Sequence, residues 1–111
     1  MAKYVSFFSL APDSLARFIQ NPSDRRSVVA QLAESAGGSL ESYYWMFGEY
    51  DGFGIFDLPD SATAAALSLA VTSSGAFRHF ETHELVESGD LTAIAQRAQQ
   101  LRSGYRAPGA S

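Results

Sequence analysis

The stretch Tyr43–Asp60, YYWMFGEYDGFGIFDLPD, constrains what this chain can fold into more than any other. Gly48 separates two runs rich in aromatic residues, a type that suits a pleated, half-buried surface, so the stretch predicts a β-hairpin. A two-residue II′ loop centred on Gly48 and Glu49 puts Phe47 opposite Tyr50. Moving the loop to Glu49 and Tyr50 pairs Gly48 with Asp51 and leaves the faces unchanged. One face then carries Tyr43, Trp45 and Phe47 beside Gly52, Gly54, Phe56 and Leu58, and the other carries Leu40, Tyr44 and Met46 beside Phe53 and Ile55. An antiparallel sheet with one solvated face alternates apolar and polar residues, and this hairpin does not. Both of its sides need cover. The gaps at Gly52 and Gly54 suit an aromatic ring from the neighbouring strand, Trp45 or Phe47.

Length and charge bound the rest. A chain of 111 residues is one domain's worth and can bury a core. With 12 acidic and 8 basic residues and a net charge of −4, a nucleic-acid partner is not expected, because such modules show a basic face. The absence of cysteine excludes disulfides, thiolate chemistry and Cys-containing metal sites. The start, MAKYVSFFSLAPDS, reads as a strand rather than a secretion signal, and no apolar run reaches membrane-spanning length. No membrane partner is expected, and a cytoplasmic location is.

Along the chain, Lys3 to Leu10 is apolar on both sides and predicts a buried strand ended by Pro12 and Asp13. Asp13 is expected to cap a short helical turn through Leu15, Phe18 and Ile19. Asn21 is expected to cap a second helix, with Pro22 at its first position. That helix runs to about Ala36 with Val28, Val29, Leu32, Ala33 and Ala36 as its apolar stripe, and Gly37-Gly38 stops it. After the hairpin, Asp60 caps an alanine-rich helix from Ser61 to about Ser73, closed by Gly75. Ala76 to Val86 reads as a fourth strand. Leu91, Ile94, Ala95, Ala98 and Leu101 mark one face of a C-terminal helix over about 90–102, and 104–111 reads as a frayed tail.

Strand, helix, hairpin, helix, strand is the order of an α+β, ferredoxin-like βαββαβ domain with a four-stranded antiparallel sheet. Right-handed crossovers put both helices on one face and leave the other bare. Half a dozen large apolar side chains on that bare face, at roughly 1.5–3 kcal/mol each, exceed what a soluble monomer usually exposes. The chain is therefore expected to self-associate through the sheet face, as a homodimer or a ring built on such pairs, with the C-terminal helix capping a neighbouring subunit.

Gly48-Glu49-Tyr50-Asp51, preceded by Tyr43-Tyr44-Trp45 and followed by Leu58-Pro59-Asp60 and an alanine-rich helix ending at Gly75, resembles the GYD domain family. The likeness takes in Gly37-Gly38 and Arg78 and spans about residues 3–86. It implies a ferredoxin-like domain of the dimeric α/β barrel type and carries no settled activity. Tyr50 and Asp51 read first as structural, with Asp51 bonding nearby backbone amides. As a site, Tyr44, Tyr50, Asp51 and Arg78, with His79, would orient a small apolar or aromatic ligand at the mouth of a cavity between sheet and helices.

His79, Glu81 and His83 alternate along the last strand and share a face. The two histidines stand about 13 Å apart at ~3.3 Å per residue, so all three cannot hold one ion; an adjacent pair such as His79 and Glu81 could share one, but the stripe reads first as a solvated edge or subunit contact, and no metal site or cofactor is assigned. Trp45 reads as core or interface, and Arg25-Arg26 as a solvated helix face. No Walker A, nucleophile elbow or H-E-x-x-H is present, and the catalytic residues are unknown. The expected function is a homo-oligomeric structural or small-ligand-binding domain. Its alternative is a cofactor-independent enzyme, monooxygenase- or isomerase-like, acting on a small aromatic substrate, with His79, Tyr44 or Trp45 handling protons or binding.

Overall fold

The computed structural model describes residues 1–110. The elements run β1 (Ala2–Leu10), α1 (Pro12–Gln20), α2 (Arg25–Ser35), β2 (Ser39–Trp45), β3 (Gly52–Leu58), α3 (Ser61–Thr72) and β4 (Phe77–Glu84). A 3₁₀ turn at Ser88–Asp90 leads into α4 (Leu91–Arg102). The strands form one antiparallel sheet in the order β2-β3-β1-β4, which is the ferredoxin-like arrangement. Ser111, the last residue of the tail, lies outside the described residues.

Local chemistry explains most boundaries. Pro12 takes the first position of α1, where its missing N–H costs nothing and its fixed φ is already helical. Asn21 ends α1 rather than starting α2, and the N-cap of α2 is Asp24, whose carboxylate accepts from the Ser27 backbone N–H and hydroxyl. The Asn21-Pro22 start is thus corrected by three residues, because Asp24 has a donor three residues ahead. At the far end Gly37 takes φ +84°, the Gly38 N–H bonds Ala33 O at 3.0 Å, and the Gly37 N–H bonds Glu34 O, a Schellman stop. Asp60 caps α3 through the Thr63 N–H at 2.8 Å.

The two faces of the sheet differ in kind. Tyr4, Phe56 and Leu58 meet Ala33 of α2 and Ala64 of α3 in the densest part of the core, where the alanines let the helices approach closely. Leu40 joins this face, not the bare one. A β-bulge between Leu40 and Ser42 inserts Glu41 and reverses the alternation there, whereas Tyr43 opposite Gly54 and Trp45 opposite Gly52 keep the expected faces. The rings that fill the glycine gaps are also not the expected ones. A Cβ on Gly52 would stand 2.5 Å from the Phe8 ring, and one on Gly54 would stand 3.0 Å from the Phe56 ring.

The hairpin loop is wider than two residues. Met46 N–H bonds Asp51 O, so Phe47 to Tyr50 form the loop, and Phe47 is fully exposed beyond the sheet. The Asp51 N–H bonds Phe8 O and its Oδ2 accepts from the Leu10 N–H, each at 2.8 Å, while the buried Ser9 hydroxyl donates to Glu49 O. The G-x-Y-D turn is therefore stitched to the end of β1, an interaction across the sheet rather than within the turn.

α4 makes its contacts chiefly with the turn before it and projects from the body, giving extents of 59 × 33 × 23 Å and a radius of gyration of 17.9 Å. A compact chain of about 100 residues measures about 13 Å. Leu91, Ile94 and Leu101 are exposed along it. No helix among the described residues is long and apolar enough to cross a membrane.

Candidate functional site

Where the core of alanines ends, the helices splay from the sheet and leave a cavity of about 520 Å³. Its floor is aromatic, with Phe8 of β1, Tyr43 and Trp45 of β2, and Phe77 and Phe80 of β4. Phe8 is the centre of this floor, stacked on Tyr43 at 5.9 Å and edge-on to Trp45 at 5.3 Å and Phe77 at 5.9 Å. The roof is Phe18 of α1, Val29 and Leu32 of α2, and Val71 of α3. Phe18 lies flat on Trp45, 5.3 Å between centroids and 8° between planes, so Trp45 is a wall of the cavity rather than a core residue and stays 40% exposed. Exposed Arg17, Asn21 and Val28 and half-buried Arg25 surround the mouth.

Two polar features touch this space. Ser6 hydrogen-bonds Thr82, which in turn hydrogen-bonds Ser68, a hydroxyl chain from β1 through β4 to α3 at 2.8 and 3.0 Å. Burial pushes the Tyr43 phenol up, and the neighbouring Arg25 charge pulls it the other way. Among the described lining residues the titratable groups are Arg17, Arg25 and Tyr43, with no carboxylate, imidazole or amine.

The residues read from sequence as a site stand elsewhere. Val5 faces His83, Phe7 faces Glu81 and Ser9 faces His79 across the β1–β4 ladder, which sets both histidines on the bare face. There Tyr50 packs between Phe7 (5.3 Å) and His79 (5.7 Å) and donates its hydroxyl to Glu81. Glu81 also bonds His79 Nε2 at 3.2 Å and His83 Nε2 at 2.7 Å. The Tyr50 hydroxyl and the two imidazoles hold the Glu81 carboxyl down at about 2, and the same bond pushes Tyr50 up to about 12. Both shifts describe one contact and are not summed. Tyr44 packs on Phe53 on this same face and is 61% exposed. Arg78 is the extra residue of a bulge opposite Ser9 and Leu10, and its Nη2 reaches Glu49 O at 3.5 Å. The structure thus brings Tyr50 and His79 together, keeps Asp51 at the β1 end, and places none of the five in the cavity lining.

A family model for the GYD domain matches residues 4–95 of the 111. The chain belongs to the GYD domain family. The match runs further than the likeness read from residues 3–86, into the first turns of α4. None of the curated proteins compared with the chain matches it. In this GYD domain the family turn is a tether: Asp51 fixes the hairpin to β1 and Tyr50 caps the bare face, while the cavity belongs to residues outside the turn. The sequence signal for that cavity was the excess of rings on β1, β2 and β4 over the small residues, Gly52 and Gly54, set against them. Arg25 was missed because its two neighbours in sequence, Asp24 and Arg26, make it read as part of a wet helix end.

Proposed function

We propose that this GYD domain is a homo-oligomeric binding protein that holds a small apolar or aromatic ligand between its sheet and its helices. The observation that carries the reading is the cavity itself. At about 520 Å³ it falls in the size range of small-molecule sites, and it is lined mostly by aromatic and aliphatic side chains with a few polar groups at its mouth. A catalytic role is less well supported, because the lining residues offer two guanidiniums and a phenol held above its usual range, none of them suited to proton transfer near neutrality.

Self-association is supported by the bare face. Phe7, Phe53 and Ile55 form its apolar centre beside exposed Tyr44, with Lys3, Glu41 and Asp57 paired at one margin and the Glu81 cluster at the other. An apolar centre with a satisfied polar rim is the anatomy of an interface. A second sheet packed there makes the dimeric α/β barrel type of pair, and the apolar stripe of α4 then rests on the neighbouring subunit.

Native mass spectrometry at micromolar concentration tests the assembly: a dimer or a multiple of it is expected, and a persistent monomer refutes it. For the cavity, a neutral aromatic probe, 2-naphthamide, should raise the melting temperature of the wild type and not of Val28→Trp, which fills the mouth from an exposed position. No shift in the wild type with 2-naphthamide or with its carboxylate counterpart, 2-naphthoate, refutes the ligand reading.

A further inference from the structure

The lining of the cavity runs against the charge of the chain. Acidic residues outnumber basic ones 12 to 8 overall, yet the charged residues of the lining are two arginines, Arg17 and Arg25. Arg17 is largely exposed and leans on Ser14 and, at 3.7 Å, on Asp13. Arg25 is half-buried and makes no ion pair among the described residues. The nearest carboxylate in sequence, Asp24, is engaged by the Ser27 N–H and hydroxyl. A guanidinium that is partly desolvated and unpartnered at the rim of an apolar cavity favours an anion with planar, bidentate acceptors.

We propose that the cavity selects amphipathic anions: a flat aromatic body seated against Phe18, Trp45 and Phe8, with a carboxylate at the mouth bound by Arg25 and supported by Arg17. This rests on the cavity being a ligand site and adds the charge of the ligand. The aromatic floor supplies affinity for any flat apolar body, so a neutral analogue enters as well. Arg25 supplies the discrimination, which is electrostatic and weakens with salt.

The test compares 2-naphthoate with 2-naphthamide, equal in shape and different in charge, by titration calorimetry, with emission of Trp45, the one tryptophan, reporting the site. In the wild type at low salt the acid should bind about tenfold more tightly than the amide, a gap of ~1.4 kcal/mol. Arg25→Gln should shrink the gap below about threefold by weakening the acid far more than the amide, and Arg25→Lys should keep part of it. Raising salt on the wild-type protein should close the same gap, a measurement that needs no variant to fold. Equal affinities in the wild type, or a gap that survives both Arg25→Gln and high salt, overturns the inference while amide binding leaves the ligand cavity standing. Failure of both compounds to bind overturns the two together.

Discussion

The G-x-Y-D turn makes a quantitative prediction through Asp51. Its Oδ2 accepts one charge-assisted hydrogen bond, from the Leu10 N–H at 2.8 Å, in a partly buried position. Asp51→Ala removes the acceptor and leaves that N–H without a protein partner, at a cost of about 1–3 kcal/mol. The two backbone bonds of Asp51, to Phe8 O and from Met46 N–H, do not depend on the side chain, so the loop stays in place and the loss is confined to that one contact. For 111 residues, an unfolding entropy of about 2.1 cal/mol/K per residue converts this to a fall in Tm of about 4–13 °C. Asp51→Asn keeps a neutral acceptor and should lose about half as much, since charge assistance roughly doubles such a bond. Urea and thermal unfolding followed by circular dichroism measure both variants, at one protomer concentration, since any linked association would make Tm depend on it. An alanine variant within ~0.5 kcal/mol of wild type, or an asparagine variant as damaged as the alanine one, refutes the tether.

Two further perturbations test other parts of the fold. Gly52→Ala should destabilise by about 1–3 kcal/mol, because its Cβ would stand 2.6 Å from Tyr44 O, a ladder carbonyl that cannot yield as a side chain can; unchanged stability in a urea melt contradicts that packing. The bond between Tyr50 and Glu81 predicts a stability window. Glu81 is lowered from 4.5 to about 2, so its contribution is present above pH 4.5 and lost as pH falls toward 2; Tyr50 is raised from 10.0 to about 12, so its contribution is present below pH 10 and lost as pH rises through 12. Asp24 and Asp60, also lowered, and Lys3, raised to about 12, titrate in the same regions, so the quantity to measure is the difference in unfolding free energy between wild type and Tyr50→Phe. That difference should be level from pH 5 to 9 and narrow beyond both ends, and a level difference down to pH 3 removes the assignment.

How much of this was legible in the sequence depends on the range of each interaction. Element order was, because Gly37-Gly38, Asp60 and Gly75 act within a turn of themselves and the structure uses each of them there. Faces were legible for as long as a period of two held, which is why Tyr43 and Trp45 fall opposite Gly54 and Gly52 as expected. The two bulges broke that period, and neither inserted residue, Glu41 or Arg78, is a glycine or otherwise marks itself. The tether from Asp51 to Leu10 and the bond from Tyr50 to Glu81 join residues 41 and 31 positions apart, a register that only the folded sheet supplies. The bulge at Arg78 has the larger consequence. With strict alternation, Phe77 would share the face of His79, Glu81 and His83 and leave the aromatic floor, because pairing with Ser9, Phe7 and Val5 holds those three on the bare side. The extra residue turns Phe77 toward the helices beside Phe80, while His79, Glu81 and His83 stay on the bare side. The cavity floor thereby gains a ring that strict alternation would have placed beside the imidazoles. One inserted residue on β4 thus completes the aromatic floor, whereas Tyr44, Tyr50 and His79 stand on the other side of the sheet through the alternation of β2 and β4 and through the contacts of Tyr50 with Phe7 and Glu81.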